Sequence, residues 1–140
     1  MPAVPWRQLS EPHADHSYLV MASRLPLHSY RTIPRFLRMT AAIARQLEHS
    51  EGLIGYSLLA HPTKKTFWTL SAWTNQQALH AFVRATPHIE IMKALQPHME
   101  PTRFTTWEAL GSTLPIAWRD AIDHLNGAPS RGSASPRPPG

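Results

Sequence analysis

Apolar residues alternate with a period of two in several short stretches of this chain and with a helical period in the stretches between them. In SYLVMASRL, from Ser17 to Leu25, Tyr18, Val20 and Ala22 are opposed to Leu19, Met21 and Ser23, which predicts a strand that Pro26 ends. Thr32 can cap a helix running to about His49, because Ile33, Phe36, Leu37, Ile43, Ala44 and Leu47 fall on one side of it. GLIGYSLLAH, Gly52 to His61, reads as a second strand in which Gly55 marks a bulge or the close approach of another group to the backbone. The turn HPTKK joins it as a hairpin to a third strand, Lys65 to Trp73. On that strand Phe67, Thr69, Ser71 and Trp73 share a mixed face, and Trp68, Leu70 and Ala72 share an apolar one.

Thr74, with Gln77 three residues on, forms a capping box for a helix that carries Ala78, Leu79, Phe82 and Val83 inward. Thr86 and Pro87 restart that helix, and Pro97 limits its second piece. Thr102 to Leu110 is a fourth strand, with Arg103, Thr105, Trp107 and Ala109 on one face and Phe104, Thr106 and Glu108 on the other. LPIAWRDAIDHL is a final amphipathic helix using Leu114, Trp118, Ile122 and Leu125. The order β, α, β, β, α, β plus a helix predicts an α+β ferredoxin-like βαββαβ antiparallel sheet with helices on one face and an extra C-terminal helix. The domain spans 17–126, after an extended N-terminal segment 1–16 and before a tail, 127–140, too rich in Pro, Ser and Gly to order. The third strand carries large apolar residues on both faces, so a second copy is expected on whichever face the helices leave bare, Trp68 and Leu70 or their alternates, the two sheets closing into a barrel-like homodimer.

Composition narrows the chemistry. At 140 residues and 42% hydrophobic content the chain supports one domain with a modest core. It has no cysteine, which removes disulfides, thiolate nucleophiles and cysteine-ligated metals. The net charge of +5 invites thoughts of nucleic acid, but Arg31, Arg35, Arg38 and Arg45 recur along the outer side of the first helix as a solvated face, with no aromatic platform beside them. No nucleic-acid partner is expected. No apolar run is long enough to cross a bilayer and the first residues lack a secretory pattern, so no membrane partner is expected either, and the chain is read as cytoplasmic. A Gly-x-Ser-x-Gly elbow, a phosphate loop, a His-x-x-x-His pair and paired acids on a helix face are all missing, leaving hydrolase, kinase, nicotinamide dehydrogenase and zinc readings without a motif.

FWTLSAW, a helix, and then FVRATPHIEIM resemble the antibiotic-biosynthesis-monooxygenase-like superfamily of dimeric α+β barrels, in a branch similar to spheroidene monooxygenase. The resemblance covers about residues 17–110. It implies the fold more than the chemistry, since the superfamily hosts cofactor-independent quinone-forming oxygenases, haem-degrading and haem-dependent enzymes, and members without known activity. Trp73 matches the strand-ending Trp that lies near haem in the haem degraders. Their ligating His falls at Met92, however, and His88 lies one helical turn earlier, at the position of the spheroidene-like branch, where haem is the implied cofactor.

His88 follows the helix start at Thr86–Pro87, where the partial positive charge favours a neutral imidazole able to act as base or iron ligand. Its bland alternative is a local hydrogen bond. Trp68, Trp73 and Trp107 line an aromatic pocket or else fill the core. Arg103 holds a carboxylate or a haem propionate, or is merely exposed. The resulting expectation is a monooxygenase-like protein for a small apolar aromatic or polyene substrate, with His88 catalytic and Trp68, Trp73, Trp107, Arg103 and Met92 binding. No cofactor is predicted, haem through His88 being the cofactor-assisted variant. The alternative is a non-catalytic small-ligand or haem-binding member of the same superfamily.

Overall fold

A computed structural model describes residues 3–127, so the tail beyond Gly127 lies outside the described residues. Five strands, β1 (Ala3–Gln8), β2 (Ser17–Pro26), β3 (Leu53–His61), β4 (Thr66–Trp73) and β5 (Arg103–Leu110), form one antiparallel sheet in the order β1-β3-β4-β2-β5. Helices α1 (Ile33–Leu47), α2 (Gln76–Arg84), α3 (His88–Leu95) and α4 (Trp118–Asn126) complete it. Without β1 and α4 this is the ferredoxin-like arrangement expected from the sequence.

The N-terminal segment is more than an extended leader. Its residues 3–8 add an edge strand to β3. A register shift between Val4 and Arg7 accompanies the seating of the Trp6 indole on Gly55, where an added Cβ would come within 2.5 Å of two ring carbons. Gly55 therefore fulfils both sequence expectations, since β3 also shifts register between Leu53 and Gly55. Arg7 Nε pairs with Glu48 Oε2 at 2.5 Å, tying this edge to the end of α1, and the Arg7 hydrogen bond holds the Glu48 carboxyl below its ordinary range.

Each face of the sheet carries a core. On one, Phe36, Phe67, Ile91 and Leu95 pack together, and beside them Leu53, Trp73, Leu79 and Phe82 join α2 to the sheet. On the other, Val20, Ala22, Leu70 and Ala72 pack against Ala121 and Leu125 of α4. Four of the chain's five tryptophans, Trp6, Trp68, Trp107 and Trp118, flank this second cluster. The face expected to await a second copy is thus covered within the chain, because the amphipathic stripe of α4 fits it.

Several helix starts differ in detail from the sequence expectation. Asn75, not Thr74, caps α2, its Oδ1 accepting the Ala78 N–H at 2.8 Å, while the Thr74 N–H donates to the Gly52 carbonyl. Thr32 makes no side-chain cap, and the turn before α1 is capped by Ser29. The last helix begins at Trp118, since Leu114 is extended.

Candidate active site

His88 is the first residue of α3, and its position is fixed from α1. The Gln46 side-chain amide donates to the Phe82 carbonyl at 3.1 Å, at the end of α2, and its Oε1 accepts the His88 N–H at 3.0 Å. Thr86 provides no cap to α3, because Gln46 satisfies the free N–H that Thr86 was expected to take. One amide spans the break between the two helices.

The His88 Nδ1–H donates to the Val83 carbonyl at 3.1 Å, which fixes the tautomer and leaves Nε2 as an acceptor with no partner among the described residues. Burial pushes the pKa below the ordinary 6.5, and the Val83 carbonyl opposes this by favouring the cation. The shift has the direction expected from the helix terminus, but burial is its leading cause. The ring lies 4.8 Å from that of Phe82, which lies 5.3 Å from Trp73. Trp73 is fully buried, its Nε1–H donating to Ser71 Oγ at 2.9 Å.

The sheet face behind this aromatic row is unusually rich in hydroxyls. Pairing sets Ser71, Met21 and Thr106 side by side, and the next row of the same face sets Thr69, Ser23 and Phe104 side by side. Ser23 and Thr69 are hydrogen-bonded to each other. Toward β5 the face opens to solvent, with Phe104 and Thr106 exposed. A flat ligand lying on such a shelf would meet apolar Met21 and Phe104 and hydroxyls able to bind an oxygen substituent.

The residues singled out from sequence divide between the two sides of the sheet. Trp73 and His88 share the side of α1–α3 and are joined through Phe82; Met92, half-buried, lies one turn from His88 on α3. Trp68 and Trp107 pack on the α4 side. Arg103 shares the strand face of Trp107, so a pocket walled jointly by Trp73 and Trp107 is not formed. Trp107 instead stacks on His124, ring centroids 3.7 Å apart, in a groove of about 540 Å³ that Glu108, Asp120 and Asp123 make acidic.

Haem does not fit these residues. Arg103 is across the sheet from His88, and Trp73 is packed against Phe82 where a macrocycle would need room. Among the described residues no cluster of three or more His, Asp or Glu is placed to hold a metal ion. Sequence reasoning missed Gln46, Ser23 and Thr106. The mixed face of the third strand was the only signal for the hydroxyl shelf, and Gln46 gave none.

No family model matches the sequence, and no curated protein does. Solved structures do. SnoaB, a cofactor-independent oxygenase from Streptomyces nogalater, aligns with a TM-score of 0.58 at 17% identity, covering 71% of this chain and 98% of its own. A Nitrosomonas europaea protein provisionally assigned as an antibiotic biosynthesis monooxygenase aligns with a TM-score of 0.61 at 14% identity, over 75% and 98% of the two chains. An antibiotic biosynthesis monooxygenase aligns with a TM-score of 0.60 at 12% identity, over 66% and 98%. These identities carry the fold and no more: the chain has the ferredoxin-like α+β fold that antibiotic biosynthesis monooxygenases share with a cofactor-independent oxygenase.

Proposed function

We propose that this chain is a cofactor-independent monooxygenase for an easily oxidised aromatic phenol or enol, acting in the cytoplasm as a homodimer. What supports the reading is the setting of His88: its Nδ1–H donates to the Val83 carbonyl, Nε2 has no partner among the described residues, and burial lowers its pKa. Nε2 removes the phenolic proton, and the resulting anion passes one electron to dioxygen. Recombination of the radical pair forms a carbon–oxygen bond at the ring. Cleavage of the oxygen–oxygen bond then leaves one atom in a quinone and releases the other in water, so that phenol plus dioxygen balances quinone plus water without an external reductant. A polyene lacks the acidic hydroxyl this route needs, so the aromatic half of the sequence expectation is retained. Trp73 and Phe82 would keep the surroundings of His88 apolar, and the exposed Thr106 on the same side of the sheet would meet a substrate oxygen at the open end.

Oxygen uptake with a panel of polyhydroxylated fused aromatics tests this. Turnover with one dioxygen consumed per quinone formed is expected, and His88→Gln should lower kcat by about 100-fold or more with a smaller effect on KM. Binding of these compounds without oxygen uptake would replace the enzyme by the non-catalytic ligand-binding alternative.

A further inference from the structure

The seam between α1 and α3 holds a shallow groove of about 470 Å³ on the surface of the protein. Its floor is apolar: Met39 and Ala42 are half-buried, and Ile91 of α3 is buried. Arg35, Arg38 and Arg45 line it and are exposed. None of the three has a carboxylate within ion-pair distance among the described residues. Arg35 and Arg45 are ten residues apart on one helix, so the charged margin is about 15 Å long.

An ordinary solvated helix face mixes signs or lies over a convex surface. Here only one sign is present, and it borders a recessed apolar floor. A ligand complementary to both must carry a negative head and an apolar body. Nucleic acid fits poorly because the groove offers no aromatic ring for a base to stack on. A bilayer fits poorly because the apolar floor is recessed between helices and cannot insert. A single small molecule with an apolar chain and an anionic head matches both features of the groove.

We infer that the α1–α3 groove binds a free anionic amphiphile of the fatty-acid type, its chain on Met39, Ala42 and Ile91 and its head held by Arg35, Arg38 and Arg45. This site stands apart from the proposed oxygenase chemistry and is read by binding alone. The probe is dodecanoate below its micelle-forming concentration, titrated calorimetrically into the whole protein. Saturable binding that weakens with added salt is expected. Arg35→Gln, Arg38→Gln and Arg45→Gln combined should weaken it by about tenfold or more. All three side chains are exposed, so the circular dichroism should be unchanged. Arg31→Gln, Lys64→Gln and Arg119→Gln combined remove the same charge elsewhere and should leave binding intact. Dodecyltrimethylammonium, with the same chain and the opposite charge, should not bind. Equal binding by the groove variant and the unaltered protein overturns the inference, as does equal binding of the cationic amphiphile. Sedimentation with phosphatidylglycerol vesicles in the absence of dodecanoate binding would overturn it in favour of a membrane surface.

Discussion

His88 and Gln46 show how much of this candidate site depends on individual side chains. His88 titrates below 6.5 in the folded protein because burial disfavours its cation, whereas in the unfolded chain it is free to protonate at the ordinary value. Between that lowered value and 6.5 the unfolded state therefore binds more protons, so this residue's contribution is full above 6.5 and is lost as pH falls through the window. Urea midpoints of the unaltered protein should drop across that window, and His88→Gln should flatten this part of the profile. An unchanged slope in the variant would assign it to other groups. Gln46 bonds the end of α2 and the start of α3 with one amide. Replacing it with Ala should cost about 1–2 kcal/mol in denaturant unfolding. It should also lower kcat through misplacement of His88, and Gln46→Glu, which keeps an acceptor for the His88 N–H, should recover part of the activity. A loss confined to stability would leave Gln46 as a helix tie alone.

At the scale of elements, periodicity located what local sequence can determine. Strands β2 to β5 and helix α1 lie within a few residues of their expected bounds, and β4 divides its side chains as alternation requires. The caps were less legible, because Thr74 and Asn75 are both good N-cap residues and tertiary contact decides between them. Gly52 at φ +84° brings its backbone against Thr74, which leaves Asn75 to cap α2. β1 was missed since Trp6 is its only large anchor and Pro5 argues against a strand; as an edge strand it tolerates proline. The Trp6–Gly55 contact makes a direct test of its seating. Gly55→Ala should destabilise the fold by about 1–3 kcal/mol through overpacking. In a Trp6→Ala background the same change should cost much less, since its obstacle is gone. Equal costs in the two backgrounds would mean that the indole does not rest on Gly55.

Across the whole molecule, alternation within a strand leaves open which set of side chains faces which layer, and here that ambiguity decided the site. Val20 opposite Trp107 puts Trp107 and its face-mate Arg103 on the α4 side, away from Trp73 and His88. Only pairing between β2 and β5, elements separated by most of the chain, fixes this. The same packing changes the argument for self-association. With α4 and Trp6 on the second face, a bare apolar sheet no longer calls for a partner. The edge of β5 does, because among the described residues it ends the sheet without a partner, and it displays Phe104 at 43% and Leu110 at 47% exposure. Two copies meeting there around a two-fold axis would pair edge to edge and also cover the open side of the hydroxyl shelf, excluding water from it. Sedimentation at micromolar concentration should therefore report a dimer. Phe104→Glu with Leu110→Glu, which places like charges along both edges without disturbing buried residues, should give a folded monomer with weaker substrate binding. A monomeric unaltered protein would remove the homodimer, and a dimer that survives both substitutions would place its interface away from β5.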